Sequence, residues 1–371
     1  MKRVLFFVLS MLLLCACAVP CTAEGEADLA SITEQVRDAL DDTLNSEMRA
    51  LLDELSPSLL SGEGVEISWR ALVSHFGNTL RDSLRETLRP FSVLLVLVLL
   101  FAFVRVLVGT QSAAAPELLM LLLLFLQCVS VLQPLLSSGS TLLCTSATFM
   151  KAFLPIYAGL VAFSGAPAAA LGVQSLVFGL CEGLSGVSEL LCVQGIGAFV
   201  GLCGACCVSE HVQMGKLLSG VNKAASWVLG LLCAVFTGVL GAKSVLSAAA
   251  DSAAGKSVRF LLSSAIPVVG AAISDAYSSV LASIHLIKGS VAVVGVLALL
   301  VLHLPALSQS LTALFAFKTL GALSDALGLG RVGSLFQSFS LALKFLLLLG
   351  VLELFLLLIA IGLLLQMKGG G

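Results

Sequence analysis

From residue 91 to the C-terminus the chain carries only 8 acidic and 12 basic side chains, and long stretches carry none. Apolar runs of about 17–25 residues, the length that crosses a bilayer as a helix, lie near 91–109, 117–136, 168–187, 190–208, 224–242 and 341–366. Shorter or interrupted runs lie near 149–163, 257–274, 288–304 and 306–324. Backbone exposed to lipid must satisfy its own hydrogen bonds, so such runs are expected to be helical. The sequence therefore predicts an all-α, polytopic membrane protein of six to nine crossings, some of them broken or re-entrant. Ala, Gly and Ser fill many of the runs, as in Gly195-Ile196-Gly197-Ala198, and small residues let helices approach closely in membranes.

Composition excludes other classes. The 371 residues are 58% hydrophobic and 11% charged, against about 45–50% and about 25% in soluble domains. An ordinary soluble enzyme and a disordered chain are both excluded. With 20 basic against 22 acidic residues, the basic footprint of a nucleic-acid binder is missing.

Charge is concentrated instead in residues 24–90, which hold 14 acidic and 6 basic side chains, a local net charge of −8. Three parts follow: 1–23, 24–90 and 91–371. In the first, Lys2 and Arg3 precede the apolar run Val4 to Leu14, and Cys21-Thr22-Ala23 supplies small residues for cleavage. This is the pattern of a secretory signal peptide. The alternatives are an uncleaved anchor and a lipid-modified Cys17. In each case the acidic segment is expected outside the cytoplasm.

That segment carries two apolar stripes at helical spacing. Leu29, Ile32, Val36, Leu40, Leu44, Met48, Leu51 and Leu55 form the first, stopped by Ser56-Pro57. Trp69, Leu72, Val73, Phe76, Leu80, Leu84 and Leu88 form the second, which Pro90 is expected to end. Arg81, Arg85 and Arg89 fall on successive turns beside it. Two helices this short bury little surface alone, so contact with a partner or with the membrane body is expected.

The eight cysteines beyond the leader lie in or beside apolar runs, where free Cys packs as a small hydrophobe. Cys203, Cys206, Cys207 and His211 have loose ligand spacing, but no second Cys/His pair completes a zinc motif. Neither a metal nor a cofactor is expected. His-Glu-x-x-His, Gly-x-Ser-x-Gly and the phosphate-binding loop are all absent, and His75, His211, His285 and His303 form no cluster in sequence. The chain therefore reads as a non-enzyme.

Two segments look alike. Phe153-Leu154-Pro155-Ile156-Tyr157-Ala158-Gly159 resembles Ala265-Ile266-Pro267-Val268-Val269-Gly270, with a cation upstream of each, Lys151 and Arg259. Proline inside a helix removes a donor and clashes one turn back. Paired, broken apolar segments point to a transporter-like site between repeats. A repeat around 149–208 and 257–324 is the corresponding expectation, with Pro155, Gly159, Pro267 and Gly270 as candidate pathway or helix-break residues. Glu353, deep in the run from Phe345 to Leu365, is the clearest ionisable group inside an apolar run, and such a group is a functional candidate by default. Its plainer role is a protonated or paired acid holding helices together. Lys344 and Arg105 are expected to snorkel to an interface, while Glu182, Lys288, Lys318 and His303 lie at soft boundaries.

Over residues 233–304 the chain resembles the stage III sporulation protein AE family. The resemblance rests on Val235-Phe236-Thr237-Gly238-Val239-Leu240, Ala248-Ala249-Ala250-Asp251, Lys256-Ser257-Val258-Arg259-Phe260, Ile266-Pro267-Val268-Val269-Gly270, Ser274-Asp275-Ala276 and Lys288-Gly289-Ser290-Val291. The layout of leader, acidic segment and polytopic body also fits. This resemblance implies a subunit of the channel complex in the mother-cell membrane around the forespore. The implied partners are other membrane proteins of the same operon, including an ATPase and ring-forming proteins, besides the lipid bilayer. The family contributes no catalytic residues. A stand-alone secondary transporter using the breaks at Pro155 and Pro267 is the alternative.

Overall fold

The computed structural model describes residues 69–108, 114–164, 166–187, 195–208 and 270–366, with isolated positions between 220 and 241. Among these residues six helices appear in chain order and no strands. They are α1 (Trp69–Val108), α2 (Ala114–Phe163), α3 (Pro167–Val187), α4 (Ile196–Val208), α5 (Gly270–Ala326) and α6 (Gly330–Gln366). The leader, the stripe from Leu29 to Leu55 and the second proline, Pro267, lie outside the described residues.

The helices are longer than the apolar runs that seed them. The runs at 117–136 and 149–163 merge into the 50-residue α2, and those at 288–304 and 306–324 merge into the 57-residue α5. Proline does not stop them. Pro90 lies inside α1, Pro134 and Pro155 inside α2, and Pro305 inside α5. The expected stop at Pro90 and break at Pro155 are therefore corrected. Each proline forfeits one backbone bond, while dozens of flanking residues keep theirs and are held by packing against neighbouring helices. Among the described residues four helices are long and apolar enough to cross a membrane, in Gly77–Leu107, Glu117–Phe163, Val291–Ala326 and Gly330–Gln366.

Contacts fix the helix directions. Ser83 of α1 sits beside Ser308 of α5, Phe91 beside Phe317, and Arg105 beside Gly328, so α1 and α5 run parallel. Helix α6 returns antiparallel to α5 through a tight turn at residues 327–329. There the Leu329 amide donates to the Ser324 carbonyl at 2.8 Å and the Gly328 amide donates to the Asp325 carbonyl at 3.1 Å. These are the two bonds of the Schellman motif. They require a left-handed residue, and Gly328 supplies it with φ 74°. Arg105 donates to the Gly328 carbonyl at 2.7 Å, tying α1 to this turn. At the other end of α2, Pro167 opens α3 where its missing N–H is not needed.

The interior forms two stacked apolar layers. The layer nearer the 327–329 turn joins Phe91, Leu94 and Val98 of α1 to Leu121–Leu135 of α2, Ala313–Leu320 of α5 and Val332–Leu349 of α6. Phe317 is its hub, with ring centroids 4.7 Å from Phe91, 6.1 Å from Phe336 and 5.7 Å from Phe339. The other layer joins α2 beyond Ala147, α3, Val291–Leu299 of α5 and Leu354–Leu364 of α6. A small cluster of Leu142, Leu302 and Ala306 lies between them. The second amphipathic stripe does not face this interior as a unit. Leu84 and Leu88 are exposed, and α1 turns Ser83 and Thr87 inward instead. Ser83 meets Ser308 at 2.7 Å, so a hydroxyl pair rather than leucine makes that contact.

Candidate functional site

Where the two layers meet, the bundle places an acid, an imidazole and a hydroxyl together. Glu353 comes from α6, His303 from α5 and Ser146 from α2, and all three are fully buried. His303 and Glu353 are carried by apolar stretches and Ser146 by a Ser/Thr-rich one, so the helices approach by enclosing these polar groups with the core. Ser146 Oγ is hydrogen-bonded to Glu353 Oε1. His303 Nδ1 donates to the Leu299 carbonyl one turn back at 2.8 Å. That bond puts a hydrogen on Nδ1 and aims Nε2 at Glu353 Oε2, 3.7 Å away. Among the described residues neither Nε2 nor Oε2 has a hydrogen-bond partner, and 3.7 Å is too long for such a bond.

The constellation accommodates the acid in either charge state. Ser146 Oγ also lies 2.9 Å from the Leu142 carbonyl and 3.2 Å from that of Leu143. A hydroxyl has one hydrogen and two lone pairs. With Glu353 ionised, Ser146 donates to the carboxylate. With Glu353 protonated, Ser146 donates to Leu142 and accepts from the acid. The order of groups is not that of a hydrolytic triad, in which the hydroxyl meets the imidazole. Here the hydroxyl meets the carboxylate.

Polar contacts continue one to two turns away. Ser138 of α2 donates to Gln309 Oε1 of α5 at 3.3 Å. Beside them a void with room for about one water is lined by Gly139, Leu142, Ala306, Ser310, Leu346 and Gly350. Beyond Glu353, on the α3 side, Phe149, Phe153 and Tyr157 stack along α2 with centroids 5.4 and 5.6 Å apart. The Tyr157 hydroxyl is buried without a hydrogen-bond partner.

The sequence-predicted residues separate. Glu353 sits at the centre of the constellation. Pro155 lies on the exposed face of an unbroken α2, and Gly159 is half-buried with open space where a side chain would stand. Gly270 is the first residue of α5. Pro155 thus does not break α2, and its pairing with Pro267 falls outside the described residues. Of the ionisable groups at soft boundaries, His303 is the one that reaches Glu353. Glu182 pairs with Lys151 at 2.6 Å across α3 and α2, Lys288 is buried in α5, and Lys318 is exposed. Arg105 caps the 327–329 turn instead of merely snorkelling. Sequence reasoning missed Ser146, which no local pattern marks. His303 did carry a signal, an ionisable side chain in an apolar run two residues before Pro305.

Comparison with known proteins covers most of this bundle. The family described as Stage III sporulation protein AE matches residues 52–367. The Stage III sporulation protein AE of Bacillus subtilis (strain 168) is 23% identical over 190 residues, covering 51% of this chain and 47% of that protein. The alignment thus spans about half the length of the relative. No solved structure matches.

Proposed function

Because the chain belongs to the stage III sporulation protein AE family, we propose that it is a multi-pass membrane subunit of the channel complex between mother cell and forespore. Its role in sporulation comes with the family. The match over 52–367 carries the reading, since it takes in all six helices that build the described bundle. In this reading the protein resides in the mother-cell membrane, and its N-terminal segment is delivered outside the cytoplasm by the leader. It assembles with the other membrane proteins of the same operon, the ring-forming subunits and the ATPase among them, and supports forespore development without catalysing a reaction itself.

The bundle suits a scaffold of this kind. Helix α2 passes Pro155 unbroken, and the void between α2, α5 and α6 at Gly139, Ser310 and Leu346 has room for about one water. A solute carrier working by two facing breaks would need the first of them here. Affinity purification from sporulating cells in mild detergent tests the proposal. The expected result is recovery of the chain with an ATPase and ring-forming proteins. Recovery of the chain alone, together with solute uptake by that chain in liposomes, would overturn it.

A further inference from the structure

The long helices set a length problem. The 47 residues of Glu117–Phe163 rise about 70 Å at 1.5 Å per residue, whereas a bilayer's hydrocarbon core is about 30 Å thick. Helices α2, α5 and α6 run without interruption through both apolar layers, so the two layers together are too tall for one hydrocarbon slab. The surface of the bundle says which layer lies in lipid.

On α2 the exposed face changes character along its length. Leu118, Leu119, Leu122, Leu123 and Leu126 face outward near its start. From Gln133 onward the outward positions are Gln133, Pro134, Ser137, Thr141, Cys144, Thr148 and Pro155, with Phe163 exposed at the far end of the helix. Helix α1 changes at the matching height. Its outward residues from Val93 to Leu107 are Leu and Val with Phe103, and Arg105 at the end that ties to the 327–329 turn, while Arg81, Arg85, Glu86 and Arg89 lie above with Leu84 and Leu88 between them. The ring contacts Phe91–Phe317, Phe317–Phe339 and Phe125–Phe339 put these two changes at one level of the bundle. Exposed Lys318 stands one residue from Phe317, at that same level. In the layer beyond, α3 turns Ser175, Gly179 and Glu182 outward, with Leu171 exposed near its start. Glu182 is 72% exposed and forms an ion pair with Lys151. An exposed ion pair is cheap in water and costly in hydrocarbon.

We propose that the bilayer surrounds only the layer nearer the 327–329 turn, and that the second layer, with Glu353, stands out of the hydrocarbon as a polar-surfaced helical pillar. Lipid acyl chains cover α1 from Leu88 to Leu107, a height of about 29 Å, with Arg89 snorkelling to the headgroups. The pillar rises on the side where α1 begins. Glu353 is 14 residues along α6 from Phe339, which puts it about 21 Å beyond the level of the aromatic contacts. High hydropathy is offset in part, because many of the pillar's apolar residues point inward, while Phe163 and Leu171 are exposed and Phe355, Leu358 and Ile359 are half-buried. Leu354, Leu357, Ala360, Ile361 and Leu364 of α6 are all buried. The placement does not depend on which complex the chain joins. Under the orientation proposed above the pillar is extracytoplasmic.

Thiol alkylation tests this placement. The purified full chain in liposomes is freeze-thawed with a water-soluble maleimide, and modification is mapped by peptide. Native Cys144, exposed in the pillar, is compared with Ser175→Cys above the aromatic level and with Val96→Cys and Leu122→Cys below it. Because the thiolate is the reactive form and needs water, Cys144 and Ser175→Cys are expected to react about tenfold faster or more than the lower pair. Equal, slow reaction at all four positions, or faster reaction at Val96→Cys and Leu122→Cys, would overturn the proposal. Thermal unfolding of each variant in detergent confirms that the comparison is made on folded protein.

Discussion

A Glu353→Lys chain is expected to lose about 3–5 kcal/mol of stability, the usual cost of leaving an uncompensated charge in a protein interior. The ammonium would face His303, an imidazole that can only become a second cation, and would strip Ser146 of its carboxyl partner. No carboxylate replaces the one removed at that point. Glu353→Gln is the informative contrast. It keeps the shape, remains neutral and can hydrogen-bond to Ser146 through its amide, so its effect is expected to stay within about 1 kcal/mol. Unfolding midpoints of detergent-solubilised protein, followed by size-exclusion recovery after heating, measure both. If Gln costs as much as Lys, the loss is set by removal of the carboxyl and not by the added cation, and the account of the Lys variant is wrong.

The second large effect is expected at Gly295. A β-carbon there would stand 2.7 Å from Phe153 Cε1 and 3.2 Å from Cε2. That ring is 1% exposed and stacked between Phe149 and Tyr157, so it cannot swing aside. Gly295→Leu is expected to cost about 3 kcal/mol through overpacking. Gly139 offers a control of similar geometry. Its β-carbon would press on the end of Leu346, but that side chain borders the void beside Ser310 and has somewhere to go. Gly139→Ala is therefore expected to cost under about 1 kcal/mol. The same unfolding assay ranks the two, and equal costs would mean that the stacked rings are free to move.

Much of the architecture is legible in the sequence for simple reasons. Apolar runs of spanning length force helices, and the scarcity of charge after residue 90 makes a lone acid such as Glu353 conspicuous. The joins are not legible. Pro90, Pro134, Pro155 and Pro305 read as punctuation, yet each sits inside a helix that packing carries through. Apolar spacing on α1 picks out Leu84 and Leu88, although Ser83 and Thr87 face the interior, because a buried hydroxyl pair across α1 and α5 is decided by the partner helix. The meeting of Ser146, His303 and Glu353 spans separations of 157 and 207 residues in one chain, a coincidence of register that no local pattern encodes. Position relative to the bilayer is likewise invisible in hydropathy, which sums inward and outward residues alike. It emerges only when the exposed faces of α1 and α2 are separated from the buried ones.

The central structural claim is that α2 and α6 lie side by side with Glu353 enclosed between them and α5. Gly139 and Leu346 touch in that contact, one to two turns from the acid. The most direct measurement pairs Gly139→Cys with Leu346→Cys in the full chain, oxidises intact membranes with a lipid-soluble copper complex, and maps the products by peptide mass. The account requires a disulfide between positions 139 and 346 within one chain. Both thiols recovered unlinked, or each joined to a different cysteine, would contradict it.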